Sequence, residues 1–408
     1  MDRSLHAIIA TIRERETTMV AQLHQFCSIN SGTENQPGLK AMHQALAEAF
    51  RPLADEIQTI TMPAIPIINM NGDASLQTCG DALLIRKRPH LKRRVLLSGH
   101  MDTVYGVHHA FQTLTSIDNN TVRGPGIADM KGGLIVMLHA LHAFEQTTAA
   151  HSLGWDVFIN ADEEIGSPAS SLLFAEIIAP VQAALVYEPA MTASGTFAKN
   201  RKGSGKLTLV ARGRAAHAGR SFEDGRNAIC YLADIIHAVH ALNGLKDGVT
   251  INVGLMAGGD ALNVVPDTAV AKLDVRITEP EDAHWVCTKL DAIINALARP
   301  DYSLQLHGGF HRPVKRVNAP TTRLFERLQR IASALGLRLD WQNSGGCCDG
   351  NNFSAHSLPV IDTLGVRGGE IHSANEFILL DSLEERASLS ALLLVDLAEG
   401  GLEELLRS

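Results

Sequence analysis

The chain has 408 residues, 45% hydrophobic and only 5% aromatic, with 34 glycines. At roughly 150 residues per domain this means two or three domains, and two is the working number. A formal charge of -8 argues against nucleic acid or an anionic membrane as partner and leaves small molecules open.

The six cysteines (Cys27, Cys79, Cys230, Cys287, Cys347, Cys348) are scattered without zinc-knuckle spacing. A chain of this size does not need disulfides to fold, so a reduced, cytoplasmic setting is expected. The first residues, Met1 to His6, run into Arg13-Glu14-Arg15-Glu16 after a short apolar stretch, so no secretory leader is expected. No uninterrupted run of eighteen apolar residues occurs, and no membrane span is expected either.

Taken in order, about Leu5 to Phe50 reads as two helices separated by Asn30-Ser31-Gly32-Thr33, with Met42, Leu46 and Phe50 at helical spacing. Leu83–Ile85 and Val95–Leu97 read as strands, the second buried on both faces. Gly124 to Gly133 is a glycine-rich loop opening a helix over Leu134–Phe144 that is apolar nearly all round, hence internal. Val157–Ile159 and Ala184–Val186 are further strands. Near Gly195 the character changes, because Lys206 to Arg212 alternates polar and apolar, the mark of a sheet with one wet face. A helix over Gly225–Leu242, strands over Thr250–Met256 and Thr268–Ile277, a helix over Glu281–Leu297 and a strand over Ser303–His307 complete a β-α-β-β-α-β, ferredoxin-like pattern. The expected organisation is therefore an α/β domain formed by 1–194 and 313–408, interrupted by an inserted α+β domain over 195–312. In the last part, a helix over Pro320–Leu335, a strand over Arg338–Gln342 and a helix from Asp381 to about Leu394 are expected.

Three of the apolar strands end in groups able to bind a metal or move a proton. Val95-Leu96-Leu97 runs into Ser98-Gly99-His100-Met101-Asp102, Val157-Phe158-Ile159 into Asp162-Glu163-Glu164, and Ala184-Leu185-Val186 into Tyr187-Glu188-Pro189. In open α/β sheets functional groups gather beyond the carboxyl ends of the strands. Taken singly, each of these is more often an ordinary solvated strand end, and His100 with Asp102 an ordinary loop pair; their recurrence at one end of successive strands is harder to explain by solvation alone.

In this order, the motifs at 98–102, 124–133 (Gly-Pro-Gly-Ile-Ala-Asp-Met-Lys-Gly-Gly), 162–164, Glu188-Pro189 and the late His372 resemble the M20 family of metallopeptidases and amidohydrolases over essentially the whole chain. The resemblance implies a zinc-peptidase-like catalytic domain with a mostly parallel central sheet and an inserted dimerisation or lid domain. It implies two zinc ions per chain, for which cobalt or manganese also suits the donors, with Asp129 shared, His100 and Glu188 completing one site and Glu164 and His372 the other. Glu163 then matches the general base and Asp102 the group that orients His100. A cis peptide after the shared aspartate, Asp129-Met130, is also implied. Gly213-Arg214-Ala215-Ala216-His217 resembles the segment whose histidine stabilises the oxyanion in the partner subunit's site, with a structural histidine as the alternative. Asn263 and Arg276 match positions that bind the substrate's free carboxylate; for Arg276 a salt-bridged surface residue is the alternative.

Glu188, rather than aspartate, points to the glutamate carboxypeptidase side of the family. Cys347-Cys348 departs from the small or hydroxyl residues more usual there. The expected activity is hydrolysis of an amide bond beside a free carboxylate, in a small molecule or short peptide, by a homodimer. An N-acyl-amino-acid deacylase of the acetylornithine deacetylase or desuccinylase type, and a catalytically silent binding protein, are the alternatives.

Overall fold

A computed structural model describes residues 2–407. Three helices rather than two open the chain, Asp2–Arg13, Glu16–Cys27 and Gln36–Phe50. The first expected helix breaks at Glu14-Arg15, where Arg15 turns inward and its Nε donates to His139 Nδ1 at 3.1 Å. That partner lies far along the chain, so local spacing cannot announce the break.

The central sheet runs Glu56–Ile60, Ala82–Lys87, Gly154–Asn160, Arg94–His100, Ala184–Val186, Val360–Asp362. The last four are mutually parallel, and Ala82–Lys87 runs antiparallel to both of its neighbours. Arg94–His100 and Gly154–Asn160 are buried at every position, as continuous apolar runs covered on both faces should be. One face packs on Gly132–Phe144, Asp381–Asp396 and the N-terminal helices. The other packs on Phe174, Ile177, Phe353 and Leu358. The stretch Ile127–Phe144 is long and apolar enough on average to cross a bilayer, but 94% of it is buried inside this fold, where an apolar surface all round is what an internal helix needs.

A second sheet, ordered Thr250–Gly258, Thr268–Ile277, Gly203–Arg212, Ser303–Arg312, is antiparallel throughout. Helices Ala228–His240 and Asp282–Ala296 close a separate core against it, and the strand order is that of a ferredoxin-like unit. This sheet begins at Gly203, later than the boundary expected at 195. Phe197–Arg201 instead pairs in parallel with Trp341–Ser344, because Phe197 packs edge-on to Phe325 (5.8 Å between ring centres) and Phe325 stacks on Trp341 at 3.9 Å. The same aromatic stack moves the strand expected over 338–342 to Trp341–Ser344. The two connections between the units are clasped. Arg201 and Lys315 exchange main-chain hydrogen bonds of 3.1 Å, and both side chains bind the buried Asp362 carboxylate, at 2.9 and 2.7 Å.

Candidate metal centre and active site

Because the strands ending at His100, Asn160 and Val186 run parallel and in register, the residues that follow them emerge on one edge of the sheet. His100 is the last residue of its strand. Glu163 and Glu164 lie in a short turn after Asn160, and Glu188 follows Val186. Asp129 comes from the irregular turn at the start of the internal helix, where the Asp129–Met130 peptide is cis, and His372 from a residue with φ of 61°.

These side chains converge. His100 Nε2 lies 3.1 Å from Asp129 Oδ1 and 3.9 Å from Glu188 Oε1. His372 Nε2 lies 3.3 Å from Asp129 Oδ2 and 3.2 Å from Glu164 Oε2. Each oxygen of Asp129 thus faces a different histidine, and two half-sites share one carboxylate. Ligand atoms of His100, Asp129 and Glu164 lie within 4.8 Å of one another, as do those of His100, Glu163 and Glu188.

Electrostatics agree with a cation site. Burial and the neighbouring Asp129 charge push Glu164 up to about 8 and raise Glu188 well above the carboxylate range. Burial also works against Asp129, but hydrogen bonds from His100 and His372 outweigh it and hold its carboxyl low. Buried carboxylates packed this closely repel unless positive charge joins them. Glu164 Oε1 is buried with no hydrogen-bond partner, an orphan acceptor that a metal ion would satisfy. The imidazole and carboxylate donors suit zinc, with cobalt or manganese as substitutes.

Asp102 does more than expected. His100 Nδ1 lies 3.0 Å from the Asp102 carbonyl oxygen and 3.4 Å from its carboxylate, so the Nδ1 proton has its acceptor and Nε2 is free to bind metal. The Asp102 carboxylate also accepts from Thr33 Oγ1 at 2.9 Å and from the main-chain N–H groups of Glu163 and Glu164, both at 3.2 Å. Asp102 therefore holds the acidic turn with its carboxylate and the histidine with its carbonyl, rather than through the carboxylate as the sequence suggested.

Glu163 Oε1 accepts from Arg312 Nη2 at 2.6 Å, and burial pushes its carboxyl up to about 7 against the pull of Arg312. Arg312, a buried arginine closing the last strand of the inserted unit, also pairs with Asp349. Sequence reading missed Arg312 and Asp349. Their only local signals are the position of Arg312 before Pro313 at the unit boundary and that of Asp349 after a glycine-rich turn.

A cavity of about 530 Å³ opens beside the acidic cluster, and Arg276, Arg201, Lys206, Arg312 and Cys347 line its cationic side. Arg276 gives Nε and Nη2 to Asp274, at 2.6 and 3.1 Å, and Nη1 to Cys347 Sγ at 3.2 Å. It is both salt-bridged and cavity-lining. His217 and Asn263 do not reach this cavity within one chain. They sit side by side on an exposed turn, where Ala216–His217 pairs with Val264–Val265 and Ala218 N–H donates to Asn263 O at 2.9 Å.

The sequence profile of peptidase family M20/M25/M40 matches residues 96–396. Carboxypeptidase G2 from Pseudomonas sp. (strain RS-16) is 23% identical over 392 residues, 95% of this chain and 91% of that protein. A putative succinyl-diaminopimelate desuccinylase from Mycobacterium tuberculosis (strain CDC 1551 / Oshkosh) is 33% identical over 208 residues, 48% of this chain and 56% of that protein. Among solved structures, the Bacillus subtilis YXEP protein, described as a dinuclear metal binding peptidase of the M20 family, superposes with a TM-score of 0.63. It is 12% identical, and the match covers 95% of this chain and 99% of that one.

Proposed function

Since the chain belongs to peptidase family M20/M25/M40 and is a hydrolase, we propose that it cleaves an amide bond next to a free carboxylate, most like a glutamate carboxypeptidase, with two zinc ions per chain. The observation that carries this reading is the pair of half-sites sharing Asp129, set opposite a cationic wall in one cavity.

His100, Asp129 and Glu188 would hold one ion and Asp129, Glu164 and His372 the other; such a pair supplies Lewis acidity and an activated water. Glu163, not needed as a ligand in either half-site, takes the proton of the attacking water and delivers it to the nitrogen of the breaking C–N bond, leaving an amine and a carboxylate. Arg312 holds the Glu163 carboxylate in place. Arg276 offers Nη1 to the substrate's carboxylate while Asp274 fixes the rest of its fork. Lys206, within 3.4 Å of Asp274, adds to the positive charge beside Arg276.

The exposed turn carrying His217 and Asn263 supports a homodimer. In that arrangement His217 of the partner subunit enters the cavity and donates to the developing oxyanion, and Asn263 of the partner subunit contacts the substrate. The similarity to a desuccinylase over half the chain favours a second reading, an N-acyl-amino-acid deacylase, in which the same groups serve a different acyl pocket.

Purified protein should lose its activity to a chelator and regain it with zinc; activity indifferent to chelation overturns the reading. Benzoyl-glutamate, N-acetylornithine and N-succinyl-diaminopimelate assayed side by side separate the two substrate classes. The glutamate conjugate is expected to give the highest kcat/KM.

A further inference from the structure

Four residues beyond His372 lies Glu376, a carboxylate with 0% exposure for which no ion pair occurs among the described residues. Its charge is met by hydrogen bonds. Oε1 accepts from Ala128 N at 2.8 Å and Asp129 N at 3.0 Å. Oε2 accepts from Gly126 N at 3.1 Å and from the Tyr105 hydroxyl at 2.7 Å, and the Glu376 carbonyl accepts from Gly124 N at 3.0 Å. The Tyr105 hydroxyl also lies 2.8 Å from Ser373 O.

These contacts join three stretches of chain. Tyr105 follows the His100–Asp102 segment, residues 124–129 carry Asp129, and Ser373 adjoins His372. Burying a carboxylate without a cation is costly unless its lone pairs are filled, and here they are filled almost wholly by the main chain of the Asp129 loop. We propose that Glu376 is the positioning residue of the metal centre: it fixes where Asp129 stands between the two half-sites and ties that place to the segments bearing His100 and His372. This rests on the metal-centre reading given above.

An amide in place of the carboxylate cannot reproduce the pattern. Whichever way the side-chain amide of Glu376→Gln is turned, its NH2 faces either the Ala128 and Asp129 N–H groups or the Gly126 N–H and the Tyr105 hydroxyl. Aspartate keeps both acceptors on a shorter arm, and Tyr105→Phe removes one bond of the set.

Zinc affinity of the full chain, measured by competition with a chromophoric chelator alongside the melting curve of the metal-free protein, tests the assignment. Glu376→Gln is expected to weaken zinc binding about 10- to 100-fold, the range seen when groups supporting metal ligands are removed. Glu376→Asp should recover at least part of that loss, and Tyr105→Phe should weaken binding by less than tenfold. Cobalt-loaded Glu376→Gln should show an altered visible spectrum. If Glu376→Gln melts lower yet binds zinc within threefold of the unmodified chain and with the same cobalt spectrum, Glu376 serves the fold alone and the proposal is overturned. Should Glu376→Gln not fold, unchanged zinc affinity in both Glu376→Asp and Tyr105→Phe overturns it equally, and weakened affinity in either supports it. An unmodified chain that binds no zinc would sink the metal-centre reading itself, a result distinct from either.

Discussion

Arg312 is a desolvated guanidinium shared by Glu163 and Asp349, and that sharing constrains what Glu163 can do. The carboxylate is held at 2.6 Å by a fixed cation while lining the cavity. Glu163→Gln preserves an acceptor for Arg312 but removes the basic site. Turnover should fall by about 10²- to 10⁴-fold, the usual worth of a positioned acid–base group, while metal analysis still finds two ions per chain. Glu164→Gln should instead lose metal, because its Oε2 stands against His372 at 3.2 Å. Steady-state kinetics paired with metal content distinguishes the two, and loss of metal from Glu163→Gln would make Glu163 a ligand and not the base. At this scale His100, Glu164 and Glu188 were legible as imidazole and carboxylate types ending apolar runs, whereas Asp129 and His372, on irregular backbone, came only with the family motifs. Arg312, Asp349 and Glu376 were not, since each acts on a residue remote in sequence and carries no motif of its own.

The internal helix Gly132–Phe144 and the strand end at Val186 meet without side chains between them. A Cβ on Gly133 would stand 2.0 Å from the Tyr187 carbonyl oxygen, and the next residue is Glu188. The Lys131-Gly132-Gly133 sequence is therefore a packing requirement that lets the element carrying Asp129 approach the element carrying Glu188. Gly133→Ala should destabilise the protein by about 1–3 kcal/mol through overpacking and weaken zinc binding with it, read by denaturant unfolding and zinc titration. An alanine variant with unchanged stability would show that the strand end yields freely. Elements such as this helix, the buried strands and the ferredoxin-like alternation are written in local periodicity. The break at Arg15 and the pairing of Phe197–Arg201 with Trp341–Ser344 are set by partners over a hundred residues away, which is why periodicity alone put the boundary at 195.

At the scale of the whole molecule, the cavity is bordered by both units, with Arg276 and Arg312 from one and the acidic cluster from the other, while His217 stays on an outer turn. A homodimer in which His217 crosses to the other subunit makes a mixing experiment decisive. His217→Ala and Glu163→Gln should each be nearly inactive alone. Exchanged into mixed dimers, they should regain activity, because one cavity then receives an intact Glu163 and an intact His217 from different chains; no recovery in proven mixed dimers would place His217 outside catalysis. The parallel order of the central sheet has a further consequence, for biosynthesis. Its outermost parallel strand, Val360–Asp362, and the late His372 leave the ribosome well after the strands and acidic residues they join. At about 5–20 residues per second, the earlier members of the cluster wait many seconds for their partners. A nascent chain that has not yet reached them carries His100, Asp129, Glu164 and Glu188 without His372, so the cluster is assembled only after the strand Val360–Asp362 has joined the sheet.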